Sequence, residues 1–264
     1  MSSTVVSPTP QQLPSWQASV ARAFSRAAPQ YDALASAQRQ IGETLWLALP
    51  PHAKRVLDLG CGTGYWTQRL AALYPRANMT GLDIAPGMLA HAQALYGDEI
   101  TWQQGDAAAL PFENGHFDLI VSNLAIQWCR DVSAVMQELA RVLSPGGESH
   151  ITTLLPGTLK EVATAWQRPE ALLQMPDAST VEDAVARSGL TLVRSTAEQR
   201  QFYYPDLSAV MASIKGVGAQ VTRPNAQLTR RELAAAQARF ETLREPQGLP
   251  VSYHCFTLHL EKTP

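Results

Sequence analysis

A chain of 264 residues that is 45% hydrophobic and 17% charged can bury a sizeable core and is too apolar to be disordered. Its formal charge of −2 gives no electrostatic basis for nucleic acid as the main partner. No apolar run reaches the length that crosses a bilayer, so no membrane association is expected. Cys61, Cys129 and Cys255 lack paired spacing, which points to reduced thiols in a cytoplasmic protein with no metal site.

Residues 1–15, rich in Ser, Thr, Pro and Gln, read as a disordered tail, with no basic-then-apolar leader before Trp16. The remainder, 16–264, reads as one domain. Helical spacing starts near Trp16 and carries Val20, Ala23 and Phe24; a second helix is expected over Leu34–Leu49, ending before Pro50-Pro51. The segment Phe24–Asp32 between them has two open readings. It is a plain helix–helix corner, or it folds over a ligand and brings Arg26 and Tyr31 to it.

From residue 51 to about 155, strand and helix alternate, the pattern of a doubly wound α/β sheet. Arg55–Leu59 is a short apolar strand that runs into Gly60-Cys61-Gly62-Thr63-Gly64, and a helix follows from Tyr65. Such a turn brings backbone amides and a helix N-terminus to a ligand, and the glycines leave it room. A dinucleotide fingerprint wants a third glycine where Tyr65 stands, so G-x-G-x-G argues against NAD. Asp83, ending the next strand, suits a ribose diol. A third strand closes at Gly105-Asp106-Ala107, and a fourth, Phe117–Asn123, delivers Asn123–Cys129 at its carboxyl end. In open α/β sheets that end faces the ligand crevice. A stop signal at Ser144–Gly147 precedes a fifth strand, Ser149–Leu154. Beyond it, helices are expected over 158–166, 178–188 and 206–214, with a capped one opening at Thr229 and Glu232. Strands are expected within 190–204 and over 251–260, with a helical insertion at about 205–245.

Asp58-x-Gly60-x-Gly62-x-Gly64 followed by Asp83 resembles the class I S-adenosylmethionine (SAM) methyltransferases. The resemblance implies a mostly parallel seven-stranded sheet with its last strand antiparallel, and SAM as cofactor. It also implies a cofactor site of Asp58, Gly60, Gly62, Gly64 and Asp83, with Ile84, Met88, Asp106 and Ala107 around adenine and Asn123 near the methyl group. Outside that core, Phe24-x-Arg26-Ala27-Ala28-x-x-Tyr31, Ser122–Cys129, Ser213–Ala219, Leu228-Thr229-Arg230 and Ser252-Tyr253-His254 recur in an order similar to the malonyl-acyl carrier protein O-methyltransferase family of biotin synthesis.

That second resemblance implies a malonyl thioester, on carrier protein or coenzyme A, as methyl acceptor. Its carboxylate needs no general base at neutral pH, only alignment and a dry site. Burying a carboxylate calls for a cation, with Lys215 and Arg26 as candidates and Tyr31, Asn123 and Gln127 as hydrogen-bonding neighbours. Arg223, Arg230 and Arg231 are candidates for docking an acidic carrier protein, and a monomer is favoured. Three alternatives stay open at this point: another small carboxylic acid as acceptor, an NAD enzyme, and a module that binds SAM or carrier protein without catalysis.

Overall fold

The computed structural model describes residues 15–167, 172–215 and 229–263. Strands β1 (Arg55–Leu59), β2 (Asn78–Asp83), β3 (Thr101–Gln104), β4 (Phe117–Asn123), β5 (Leu143–Leu154), β6 (Thr191–Tyr204) and β7 (Leu249–Glu261) form one sheet. Their order is β3-β2-β1-β4-β5-β7-β6. The pairings from β3 to β5 are parallel, and β7 lies antiparallel between β5 and β6.

The sheet is covered on both faces, so the central strands are apolar without alternation. Val56, Leu57 and Leu59 are fully buried, as are Leu119 and Ile120. Helices α3 (Tyr65–Leu73), α4 (Pro86–Tyr96) and α5 (Val132–Val142) make the crossovers. On one side Leu45, Leu70, Tyr74 and Met79 close a core; on the other Phe117, Leu139, Val142 and Phe256 close a second. Registers such as Leu59↔Leu82 and Asn123↔Thr152 bring the carboxyl ends of β1, β2, β4 and β5 to one edge.

Two local expectations give way. No corner forms at 24–32: α1 (Ser15–Leu34) runs straight through Pro29 and meets α2 (Ser36–Trp46) at buried Ala35. Pro29 faces solvent, while Ala27 and Ala28 are buried against Ala85 and Met88, and that packing outweighs one missing backbone bond. The Ser144–Gly147 stop is absorbed into β5. Helix α5 already ends at Val142, because Leu143 pairs with Phe117 and Gly146 N–H donates to the Lys262 carbonyl.

The rest of the chain builds a third core beyond β7. It combines α6 (Lys160–Trp166), α8 (Leu207–Lys215) and α9 (Arg230–Glu241) around Val210, Phe240, Val251 and Tyr253. Helix α7 (Ala178–Ser188) instead packs on α5. The Thr229 hydroxyl and the Glu232 carboxylate cap α9 reciprocally, as their spacing predicts. No helix among the described residues is long and apolar enough to cross a membrane.

Candidate active site

A cleft opens at the carboxyl edge of β1, β2 and β4. Its floor is the glycine turn. Gly62 has φ +56°, and a Cβ built there would meet nothing within 4 Å, so the cleft passes directly over this backbone. A Cβ at Gly60 would collide with Ala125 from the loop after β4.

The amides of this turn are largely committed already. Gly60 and Cys61 N–H both donate to the Leu82 carbonyl, Gly64 N–H to Cys61, and Gly62 N–H to Asp83 Oδ2 at 2.9 Å. What the glycines supply is therefore space more than free donors. The other Asp83 oxygen accepts from Ala85 N–H at 2.8 Å, which holds the carboxylate at the cleft wall. Burial pushes the Asp83 pKa up, against the backbone hydrogen bonds that favour its charge.

Asp106 and Ala107 continue the wall after β3, with Asp106 Oδ1 accepting from Ala108 N–H at 3.0 Å. Opposite them stands Cys129, whose thiol is pushed up to about 12 by burial and then by Asp106. The loop after β4 enters through Leu124 at φ +53°, a left-handed conformation costing a branched residue about 1–2 kcal/mol. Leu124 N–H is held by the Thr152 carbonyl. Asn123 is pinned on both sides: its Nδ2 donates to Gln38 O at 3.0 Å, and its Oδ1 accepts from Thr152 Oγ1 at 2.6 Å.

Helix α1 is the roof. Gln17, Val20, Phe24 and Tyr31 form a stripe at spacings of three, four and seven, all facing the cleft. Trp16 Nε1 donates to Trp128 O at 2.9 Å, and Phe24 meets Trp128 edge-on at 5.3 Å. Ser25 Oγ accepts from Gly87 N–H, and Asp32 accepts from the Thr63 hydroxyl. The roof is thus tied to the segment after β4, to the start of α4 and to the glycine turn. The Tyr31 hydroxyl has no hydrogen-bond partner among the described residues, and burial beside Asp83 and Asp32 raises its pKa far above the usual phenol value. Gln17 Oε1 is likewise buried without a partner.

Of the residues singled out by sequence, Gly60, Gly62, Asp83, Ile84, Asp106, Ala107, Asn123 and Tyr31 come together here. Others stand behind the wall or away from it. Asp58 is 2% exposed, accepts from Thr67 Oγ1 at 2.6 Å, and is pushed up to about 7, desolvation being the main cause. Gly64 begins α3, and Met88 is buried under α1. Gln127 is buried and engaged with Leu124 O and Thr153 Oγ1. Arg26 and Lys215 are exposed on α1 and at the end of α8, outside the cleft lining. Arg223 lies outside the described residues, and Arg231 is exposed on α9 beside Arg230. Gln17 and Val20 also line the cleft; the sequence places Val20 on the first helix but assigns neither to the site, although the stripe they share with Phe24 and Tyr31 is a sequence-level signal.

A family model described as a methyltransferase domain matches residues 56–147, the segment carrying the floor and both carboxylates. The malonyl-acyl-carrier protein O-methyltransferase of Erwinia pyrifoliae is 38% identical over 92% of this chain and 92% of its own. The chain belongs to that family. The enzyme of the same name from Hahella chejuensis is 35% identical, over 89% of this chain and 87% of its own. A bifunctional biotin-biosynthesis protein of Cellvibrio japonicus is 40% identical over 92% of this chain, which spans only 50% of that longer protein. Among solved structures, the Haemonchus contortus phosphoethanolamine N-methyltransferase 2 in complex with SAM shares the fold, with 18% identity and TM-score 0.61 over 97% of this chain and 62% of its own. The cyclase SpnF shares it as well, at 16% identity and TM-score 0.62, over 95% of this chain and 97% of its own. The fold alone therefore does not decide the chemistry.

Proposed function

We propose that this chain is a cytoplasmic enzyme that transfers the methyl group of SAM to the free carboxylate of a malonyl thioester, the carrier-protein form first. The single observation that carries this is family membership across nearly the whole chain, with relatives of matching length that bear this activity in their names. The cleft suits the methyl donor. It has open space over Gly62, a fixed carboxylate at Asp83 for a ribose diol, and Asp106 with Ala107 to meet a base. Among its described lining residues Asp83 and Asp106 supply carboxylates and no Lys or Arg is present, a balance that favours a cationic ligand.

Bound there, SAM would supply an electrophilic methyl on a positive sulfur, open to in-line attack by the acceptor oxygen. The protein's own part is alignment and exclusion of water. Asn123, held by Gln38 and Thr152, presents a fixed amide at the end of β4. Tyr31 offers an un-ionised hydroxyl from the roof as a donor to the acceptor carboxylate. Phe24 and Trp128 close the cleft above. Gly64 and Asp58 act from behind the turn, and Met88 seats α1 over it. Lys215 and Arg26 are the cations that would meet the incoming malonyl group, with Gln127 fixing the Leu124 carbonyl; Arg231, exposed on α9, would dock the acidic carrier protein.

The test is transfer of labelled methyl from SAM to malonyl-acyl carrier protein, malonyl-coenzyme A and free dicarboxylic acids. A base-labile methyl ester on the malonyl carrier protein is expected. SAM binding without any ester on a malonyl thioester would overturn the proposal and leave a binding module; ester formed only on a free acid would reassign the acceptor.

A further inference from the structure

At the end of the sheet away from the cleft, β5 and β7 place four side chains in a square. The antiparallel register sets Glu148 opposite Glu261 and His150 opposite His259. Each residue is two positions from the next on its strand, so all four project from the same face. Glu148 Oε2 lies 3.0 Å from His150 Nε2 and 3.1 Å from His259 Nε2, and the three ligand atoms fall within 4.8 Å of one another. Glu261 Oε1 is 3.8 Å from His259 Nε2. We propose that Glu148, His150 and His259, with Glu261 as a fourth ligand, form a binding site for a divalent transition-metal ion of the zinc class.

Three features point to a cation and away from a plain hydrogen-bond cluster. First, two carboxylates directly opposite on neighbouring strands repel, and a cation between them reverses the sign of that contact. Second, both imidazoles aim Nε2 at a single carboxylate oxygen, with their rings stacked at 4.3 Å and 21°. Ligands held at about 2.0–2.2 Å from a tetrahedral ion are themselves about 3.4 Å apart. Two of the three separations already lie near that value, and the third is within 4.8 Å. Third, the donor set of two imidazoles and two carboxylates is one that zinc and its neighbours accept.

His150 is 2% exposed, and Glu148, His259 and Glu261 are 26%, 21% and 47% exposed at their side chains, so the square has a buried base and an open mouth. None of the four lines the cleft. The ion would clip β7 to β5 at the only point of the described sheet where the parallel half meets the antiparallel half.

The experiment is titration of the full chain, stripped with a chelator, with Zn2+ in competition with a chromophoric chelator, alongside thermal unfolding. One ion per chain is expected, with a higher Tm in its presence. His150→Gln and His259→Gln should each weaken binding at least tenfold and abolish the Tm rise, while His91→Gln should change neither. His150 is buried, so if His150→Gln folds poorly, His259→Gln and Glu148→Gln at the open mouth carry the test. Substituting Co2+ should give a spectrum without thiolate charge transfer. Absence of binding at micromolar Zn2+, binding that survives His259→Gln and Glu148→Gln, or a cobalt–thiolate band would each overturn the site.

Discussion

The two halves of the sheet handle polar groups in opposite ways. From β3 to β4 the strands are short, and Asp83 and Asn123 close β2 and β4 at the carboxyl edge, around the cleft. From β5 to β6 the strands are long, and the polar groups are spent holding one element to another. Glu161 on α6 is buried and accepts both Ser252 N–H at 2.9 Å and Ser252 Oγ at 2.6 Å. His254 pairs with Gln199, and Tyr253 packs edge-on against Phe202 at 5.5 Å. The family-like Ser252-Tyr253-His254 segment therefore serves the architecture of the second half. The cleft lies in the first half, and the second supplies a wall against which α6, α8 and α9 pack.

That contrast can be broken at several points. The largest effect belongs to the second half: Phe240→Ala empties a fully buried site between α9 and β7. It should lower unfolding free energy by about 3–5 kcal/mol while leaving SAM affinity near normal. A parallel loss of SAM binding in the folded variant would mean that the halves are coupled. Next comes Asp58. Its folded pKa, about 7, lies above the ordinary 3.8, so the native state holds the proton that the unfolded state has released. Stability is therefore lost as pH rises between about 4 and 7, by up to roughly 3–4 kcal/mol. Asp58→Asn should flatten this slope in denaturant titrations; an unchanged slope would assign it to other groups.

In the first half, Gly62→Arg places a side chain in the space above the turn. Calorimetry should show SAM affinity down at least roughly 100-fold, about 2.7 kcal/mol, with Tm shifted only by the left-handed backbone cost. Normal affinity in that variant would remove the cleft from consideration. The smallest effect is reserved for the boundary between the halves. Lys215→Ala should reduce kcat/KM for malonyl carrier protein about tenfold, near 1.4 kcal/mol, with SAM affinity preserved; equal turnover would leave the acceptor carboxylate without that cation.

Much of the first half is legible in the chain because its signals are local. A buried strand, a glycine turn and the start of a helix follow one another directly, and Asp83 ends β2 while Asp106 follows β3. Asn123 was legible as a residue at a strand's carboxyl end, but its two anchors, Gln38 and Thr152, come from 85 and 29 residues away. The uninterrupted α1 was not legible, because Pro29 signals a break and only burial of Ala27 and Ala28 against α4 overrides it. Nor was the commitment of the loop amides, which depends on the Leu82 carbonyl one strand over.

The amino-acid sequence alone determined the order of strands and helices, the glycine floor and the family, since each rests on contacts between near neighbours or on residue types at set spacings. Tertiary structure decided which polar groups are free and which are already paired. It also decided that Glu148 and His150 face one point with His259 and Glu261, a pair over a hundred positions further along the chain. That outcome belongs to the register of β5 against β7, and one residue of slip would turn either pair to the opposite face.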